Sequence, residues 1–255
     1  MLWAIDVGNT QTVVGLWDGT MWVATWRRAT DAEASEDELA AWINALSGLA
    51  NLPFEADAVV VASVVPQASQ SLARFARRWL GCEACFLIDG NQVGLVVLYD
   101  PPRAVGADRI ANALGALAKW KPPIIVVDFG TATTFDAIDR QGAYAGGAIL
   151  PGVEVSSRAL VGRTAKLPQI ELKRPERAVG RSTVESLQSG IVLGHAGAVD
   201  ALVSRMDDEL GGGSMVVATG GLGGLFEGLC ESISGYDPLL TLDGLRLAWD
   251  LMRRA

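Results

Sequence analysis

The sequence predicts an α/β fold built from two similar halves, each with one phosphate-binding turn. Three observations predict it. An apolar run, Leu2-Trp3-Ala4-Ile5, leads into Asp6-Val7-Gly8-Asn9-Thr10, and a second, Ile124-Ile125-Val126-Val127, leads into Asp128-Phe129-Gly130-Thr131. The two aspartates stand 122 positions apart in a chain of 255 residues, so one turn falls in each half. The order of expected elements also restarts near the midpoint, opening again with three strands. A strand ending in a carboxylate and a glycine-containing turn suits a metal–phosphate group. The turn's N–H groups face the phosphate oxygens, and the carboxylate takes the cation or its water.

The elements follow in order. Leu2–Val7, Thr12–Trp17 and Met21–Arg27 read as three antiparallel strands, with Asp18-Gly19 as the hairpin turn between the last two. Asp31–Leu49 reads as a helix, acidic early and apolar at Leu39, Trp42, Ile43 and Leu46. Ala58–Val65 reads as a buried strand stopped by Pro66, Gln70–Leu80 as a helix, and Ala84–Ile88 as a strand. A Pro-rich loop runs from Tyr99 to Arg109, and Ile110–Lys119 is a helix of small residues. The pattern then restarts with strands at Ile124–Asp128, Thr133–Ile138 and Ala143–Ile149. Helices are expected at 152–162 and 183–207, a strand at Met215–Thr219, and a helix around Leu225–Ser232. The expected domains are residues 1–120 and 121–255.

Composition narrows the function. Half the residues are hydrophobic and a fifth are charged, enough for one large or two ordinary cores. The net charge of −8 argues against broad nucleic-acid binding but leaves room for a nucleotide held by a local turn and a metal. No G-x-x-x-x-G-K-[ST] or G-x-G-x-x-G occurs, so neither a P-loop nor a Rossmann fingerprint is present. No run reaches the ~18 apolar residues of a membrane span. The start lacks a basic region, and Asp6 interrupts its apolar run, so no signal peptide is expected and the expected location is cytoplasmic. Cys82 and Cys85 form a C-x-x-C, with Cys230 distant and His195 the sole histidine. That is too few ligands for a usual zinc site, and the pair closes a helix rather than opening one. It reads as two reduced, partly buried thiols.

Each candidate has a plain alternative. Taken alone, Gly8-Asn9 is also ordinary hairpin chemistry; the second copy at Asp128 favours the phosphate-binding reading. Asp108 beside Arg109 at a helix start is usually an exposed ion pair. Here the pair follows a loop that could carry catalytic groups on a rigid scaffold. Asp108 suits the proton of an acceptor hydroxyl, and Arg109 suits a substrate carboxylate. Gly146-Gly147 and Thr219-Gly220-Gly221 serve either tight packing or close approach of backbone to a ligand, the latter near the adenine or ribose. His195 reads as a packed helix residue, and the eight tryptophans read as core mass.

These residues together resemble a known family. Asp6-Val7-Gly8-Asn9-Thr10, Tyr99-Asp100 with Gly106-Ala107-Asp108-Arg109, Asp128 to Thr134, Gly146-Gly147 with Pro151-Gly152, and Gly180-Arg181-Ser182-Thr183 with Gln188-Ser189-Gly190 resemble type III pantothenate kinase. The resemblance implies two duplicated ribonuclease-H-like domains of the actin-like ATPase fold, with the active site in the cleft between them. It implies ATP-dependent phosphorylation of pantothenate, the first step of coenzyme A synthesis. Asp6, Val7, Gly8, Asn9, Thr10, Gln11, Thr12 and Val13 would form the first phosphate loop, with Asp6 on the magnesium–phosphate group. Thr131 would contact ATP. Tyr99, Gly106, Ala107, Asp108, Arg109 and Thr183 would line the pantothenate site, with Asp108 as proton acceptor. Asp128 would ligate a monovalent cation, K+ or NH4+. The resemblance also implies a homodimer whose second subunit closes part of the pantothenate pocket. The family often has Asn where Ser182 stands; serine keeps a hydrogen-bonding side chain there. Two rivals remain: a kinase for another small hydroxylated acceptor, and a non-catalytic nucleotide-binding regulatory relative. Loss of Asp6, Asp108 or Asp128 would mark the second, and all three are present.

Overall fold

A computed structural model describes residues 1–254. The chain divides into two compact units: Met1–Gly115 together with the stretch from Leu240, and Ala116–Leu239. Each is built on a five-stranded mixed sheet.

In the first unit the strands are β1 (Leu2–Val7), β2 (Gln11–Trp17), β3 (Trp22–Ala29), β4 (Ala58–Ser63) and β5 (Ala84–Phe86), in the order β3-β2-β1-β4-β5. β1 pairs antiparallel with β2 and parallel with β4. Asp18 explains the β2–β3 turn: its Oδ1 accepts from the Thr20 N–H (2.7 Å) and the Met21 N–H (2.8 Å). The helices are α1 (Glu36–Leu49), α2 (Pro66–Phe75) and α3 (Ala107–Lys119), the last spanning the division between the units. Trp3, Ile5, Leu16, Ile43, Val59, Val61 and Phe75 form a closed core. Trp3 keeps its indole N–H satisfied by donating to the Glu55 carbonyl at 2.8 Å.

The second unit repeats that topology. Its strands are β6 (Ile124–Phe129), β7 (Ala132–Ile138), β8 (Tyr144–Pro151), β9 (Met215–Thr219) and β10 (Gly235–Tyr236). Their order is β10-β9-β6-β7-β8, with β6 antiparallel to β7 and parallel to β9. Its helices are α4 (Val153–Gly162), α5 (Thr183–Gln188), α6 (Gly194–Glu209) and α7 (Gly223–Phe226). A π-helical turn, Ser189–Leu193, joins α5 to α6. The core holds Ile125, Val127, Phe135, Val199, Val216 and a stacked pair, Phe129 and Phe226, with rings 4.5 Å apart.

Several expectations need correction. The first helix starts at Glu36 rather than Asp31, because Ser35 caps it reciprocally: the Glu38 N–H donates to Ser35 Oγ and the Ser35 N–H to Glu38 Oε2. The helix expected from Gln70 starts at Pro66, whose fixed φ and missing N–H suit the first helical position, and its last turn, Ala76–Leu80, is π-helical. The helix expected around Leu225–Ser232 stops at Phe226, where Gly228 takes φ +69°. The expected second domain, 121–255, differs from the observed division. A final helix, α8 (Leu240–Met252), packs into the first unit. Gly244 lies directly on the Ala111 backbone of α3, where a β-carbon would overlap the carbonyl. The Trp22 indole N–H donates to Asp243 Oδ1 at 2.7 Å, and the Thr241 hydroxyl donates to Asn112 Oδ1 at 2.7 Å. Among the described residues, no helix is long and apolar enough to cross a membrane.

Candidate active site

In the first unit, Asp6 occupies the last but one position of β1, opposite Val13 on β2 and beside Ala62 on β4. Central strands fix its position on both sides. The turn that follows is closed by the Gly8 N–H donating to the Gln11 carbonyl at 3.0 Å, and it exposes Asn9, Thr10 and Gln11. Thr30, just after β3, locks it from outside. Its hydroxyl donates to the Gly8 carbonyl (2.7 Å), its N–H donates to the Thr10 carbonyl (2.9 Å), and its Oγ meets Thr12 Oγ at 2.9 Å. No motif in the sequence marks Thr30; only the β2–β3 register brings it there.

The loop before α3 reaches the same edge of the sheet. The Val64 N–H donates to the Val7 carbonyl at 3.1 Å, and Gly106 lies against the Val64 side chain. Asp108 is half-buried in the first turn of α3, and its Oδ1 accepts the Arg109 N–H at 2.8 Å. A β-carbon on Gly106 would collide with that same oxygen, so glycine is what lets the carboxylate sit there. Arg109 is buried, 8% exposed, while Tyr99 is 36% exposed. One edge of this sheet therefore brings together the Asp6 turn and the Gly106–Arg109 corner.

The second unit builds its counterpart differently. Asp128 is again last but one in its strand, opposite Thr134 and beside the buried Thr219. The turn is one residue shorter, with the Gly130 N–H donating to the Ala132 carbonyl at 3.0 Å. The Gly152 N–H donates to the Thr131 carbonyl at 3.2 Å, and a β-carbon on Gly152 would stand 2.7 Å from the Gly130 oxygen. Gly220, at φ +85°, packs on Asp128 itself; a β-carbon there would overlap Asp128 Oδ1 and lie 2.7 Å from the Phe129 nitrogen. The Tyr236 hydroxyl donates to the Gly220 carbonyl at 3.0 Å. Gly220, just after β9, thus serves close packing behind the carboxylate. Thr183 lies in this unit, exposed at the start of α5, whereas Tyr99 and Gly106–Arg109 belong to the first. Ser182 caps that helix, its Oγ accepting the Glu185 N–H at 3.2 Å.

His195 on α6 packs on Phe129 and Phe226 and meets Thr133 Oγ at 2.9 Å through Nε2. Burial pushes its pKa down, so the ring is neutral at neutral pH. Burial raises the thiols of Cys82 and Cys85, and pushes Cys230 up to about 12. Thiols held protonated are poor nucleophiles and poor metal ligands. Cys85 instead donates to Met252 Sδ at 3.8 Å.

Among the described residues, no cluster of three or more His, Cys, Asp or Glu side chains could hold a metal by itself. Each turn offers one carboxylate among carbonyl and hydroxyl oxygens. That donor set fits hard cations whose remaining ligands are phosphate and water, and it does not fit a soft metal.

A family model described as type III pantothenate kinase matches residues 2–205. A type III pantothenate kinase of Anaeromyxobacter sp. (strain Fw109-5) is 46% identical over 248 residues, covering 97% of this chain and 98% of that protein. Among solved structures, a Campylobacter jejuni protein assigned to the Baf family of transcriptional activators superposes with TM-score 0.63 at 18% identity, covering 99% of this chain and 100% of that one. MreB 5 of Spiroplasma citri bound to AMPPNP superposes with TM-score 0.53 at 11% identity, covering 99% and 97%. At such identities the likeness concerns the fold alone, and the fold is the actin-like one.

Proposed function

We infer the activity from one premise: the chain belongs to the type III pantothenate kinase family. It phosphorylates pantothenate to 4'-phosphopantothenate, the first step toward coenzyme A, with ATP as the donor. The carrying observation is the Gly106–Asp108 corner, where a half-buried carboxylate is held on the same sheet edge as the Asp6 turn.

In this reading Asp108 orients the acceptor hydroxyl and takes its proton. Arg109 offers a planar fork to the pantothenate carboxylate, and Tyr99, Gly106, Ala107 and Thr183 complete the acceptor's surroundings. Residues Asp6 to Val13 hold the phosphate tail through turn amides and side-chain oxygens, and Thr131 contacts ATP. Asp6 would hold the magnesium–phosphate group and Asp128 a potassium or ammonium ion, which supply positive charge against the phosphate oxygens when bound. Positioning and electrostatics then carry most of the acceleration. The enzyme works as a cytoplasmic homodimer whose second copy closes part of the pantothenate pocket.

The test is ADP release with ATP, magnesium and pantothenate, in potassium and then in sodium, with the product identified by mass. Potassium-dependent formation of the phosphorylated acid is expected. Asp108→Asn should lower kcat by about 10²- to 10⁴-fold while nucleotide still binds. Full turnover in that variant would remove Asp108 from its role. Turnover of another alcohol in preference to pantothenate would replace the acceptor.

A further inference from the structure

Residues 163–181, between α4 and α5, carry six basic side chains against two acidic ones, a net +4 in a chain whose total is −8. Arg163, Lys166, Lys173, Arg177 and Arg181 are all exposed, and none has an ion-pair partner among the described residues. Elsewhere most basic side chains are paired, as in Arg74–Glu36, Arg77–Glu83 and Lys119–Asp237.

The segment has no regular structure, yet it is fastened along its length. Gln188 Nε2 donates to the Glu171 carbonyl at 3.0 Å, and the Ser189 hydroxyl donates to the Ala178 carbonyl at 2.6 Å. Arg174 donates to the Gly228 carbonyl at 3.2 Å, Leu172 packs on the core of the second unit, and Gly180 is pressed onto the backbone of Ser186. The backbone faces inward and the cations face solvent. The segment's far end adjoins Thr183, the first residue of α5, and its near end is separated only by α4 from Gly152, the N-cap of that helix, whose N–H holds the Thr131 carbonyl. The ten residues of α4 span only about 15 Å.

We propose that this strap is an electrostatic collector for the nucleoside triphosphate, raising its rate of arrival at the turn of the second unit. The proposal rests on the ATP-dependent reading above. A polyanion approaching an acidic protein is repelled on average, and a fixed row of unpaired cations beside the site offsets that repulsion locally. The attraction reaches about 10 Å at 0.1 M salt, so it acts on encounter and fades as salt rises.

The test is stopped-flow association of a fluorescent ATP analogue with the full chain at low and high salt. Lys166→Glu/Lys173→Glu/Arg177→Glu should lower the association rate about 3- to 10-fold at low salt and flatten its salt dependence. Dissociation and kcat should stay unchanged. A control, Lys121→Glu/Arg205→Glu/Arg254→Glu, alters total charge equally and should keep the parent rate. Unchanged association in the strap variant overturns the proposal, as does an equal loss in the control. Strap-dependent association without pantothenate turnover would support the collector and sink the acceptor assignment. Normal turnover with strap-independent association does the reverse, and failure of the analogue to bind overturns both.

Discussion

The two units share one topology and one strand-end aspartate, but they hold their turns by different means. In the first, a side chain does it: the Thr30 hydroxyl bonds to Gly8 and Thr12. In the second, shape does it: Gly152 and Gly220 let backbone lie directly on Gly130, Thr131 and Asp128. One bond is common to both. The residue just after the third strand, Thr30 or Gly152, donates its N–H to the carbonyl of the turn threonine, Thr10 or Thr131. The backbone device is therefore set by topology, while its reinforcement is free to vary. A hydroxyl lock tolerates isosteric change at a modest cost. A glycine lock tolerates nothing larger than hydrogen.

Substitutions at three positions would break or sharpen this contrast. Gly220→Ala should have the largest effect, because it combines a left-handed backbone with overlap on Asp128. A loss of about 2–4 kcal/mol in urea unfolding is expected, with turnover falling alongside. A loss under 1 kcal/mol would mean the turn has slack and the contrast fails. Thr30→Val keeps the volume and removes the hydroxyl. It should cost about 1–2 kcal/mol and raise KM for ATP, because the Gly8 carbonyl and Thr12 Oγ lose a partner; Thr30→Ser should restore both. An unchanged KM would assign Thr30 to stability alone.

The smallest effect concerns His195, which touches the second turn's strand through Thr133. Its folded pKa lies below the ordinary 6.5, so the unfolded chain binds the proton more readily. The stability from the neutral ring is fully present above pH 6.5 and declines as pH falls below it. His195→Gln should remove that part of the pH dependence from melting curves between pH 5 and 8, while Thr30→Val leaves it intact. Identical pH profiles for parent and His195→Gln would show that the ring does not titrate in this way.

Local signals were legible where they were chemically strong. The Asp18-Gly19 hairpin, the apolar strands before Asp6 and Asp128, and Met215–Thr219 all stand where the pattern put them. Signals carried by partners far along the chain were not. The pattern marks no helix beyond Ser232, and a boundary drawn along the sequence put residues 240–252 in the second domain, whereas α8 belongs with the first unit, Gly244 lying on Ala111. Thr30 is an unremarked threonine until strand register delivers it to Gly8. Gly220 reads equally as tight packing or as a ligand contact until its neighbour proves to be Asp128.

By itself the sequence determined what short-range chemistry can determine: the strand–Asp–x–Gly turns, their repetition, the Asp18-Gly19 hairpin, and the family. Apolar alternation and glycine are properties of neighbouring residues, and they act before the chain has closed on itself. Only the tertiary structure decided which residues lock each turn, where the Asp108 carboxylate rests, and to which unit the last helix returns. The locks and the return of the last helix depend on residues 18 or more positions apart meeting at hydrogen-bond or contact distance, and no local pattern encodes such a meeting.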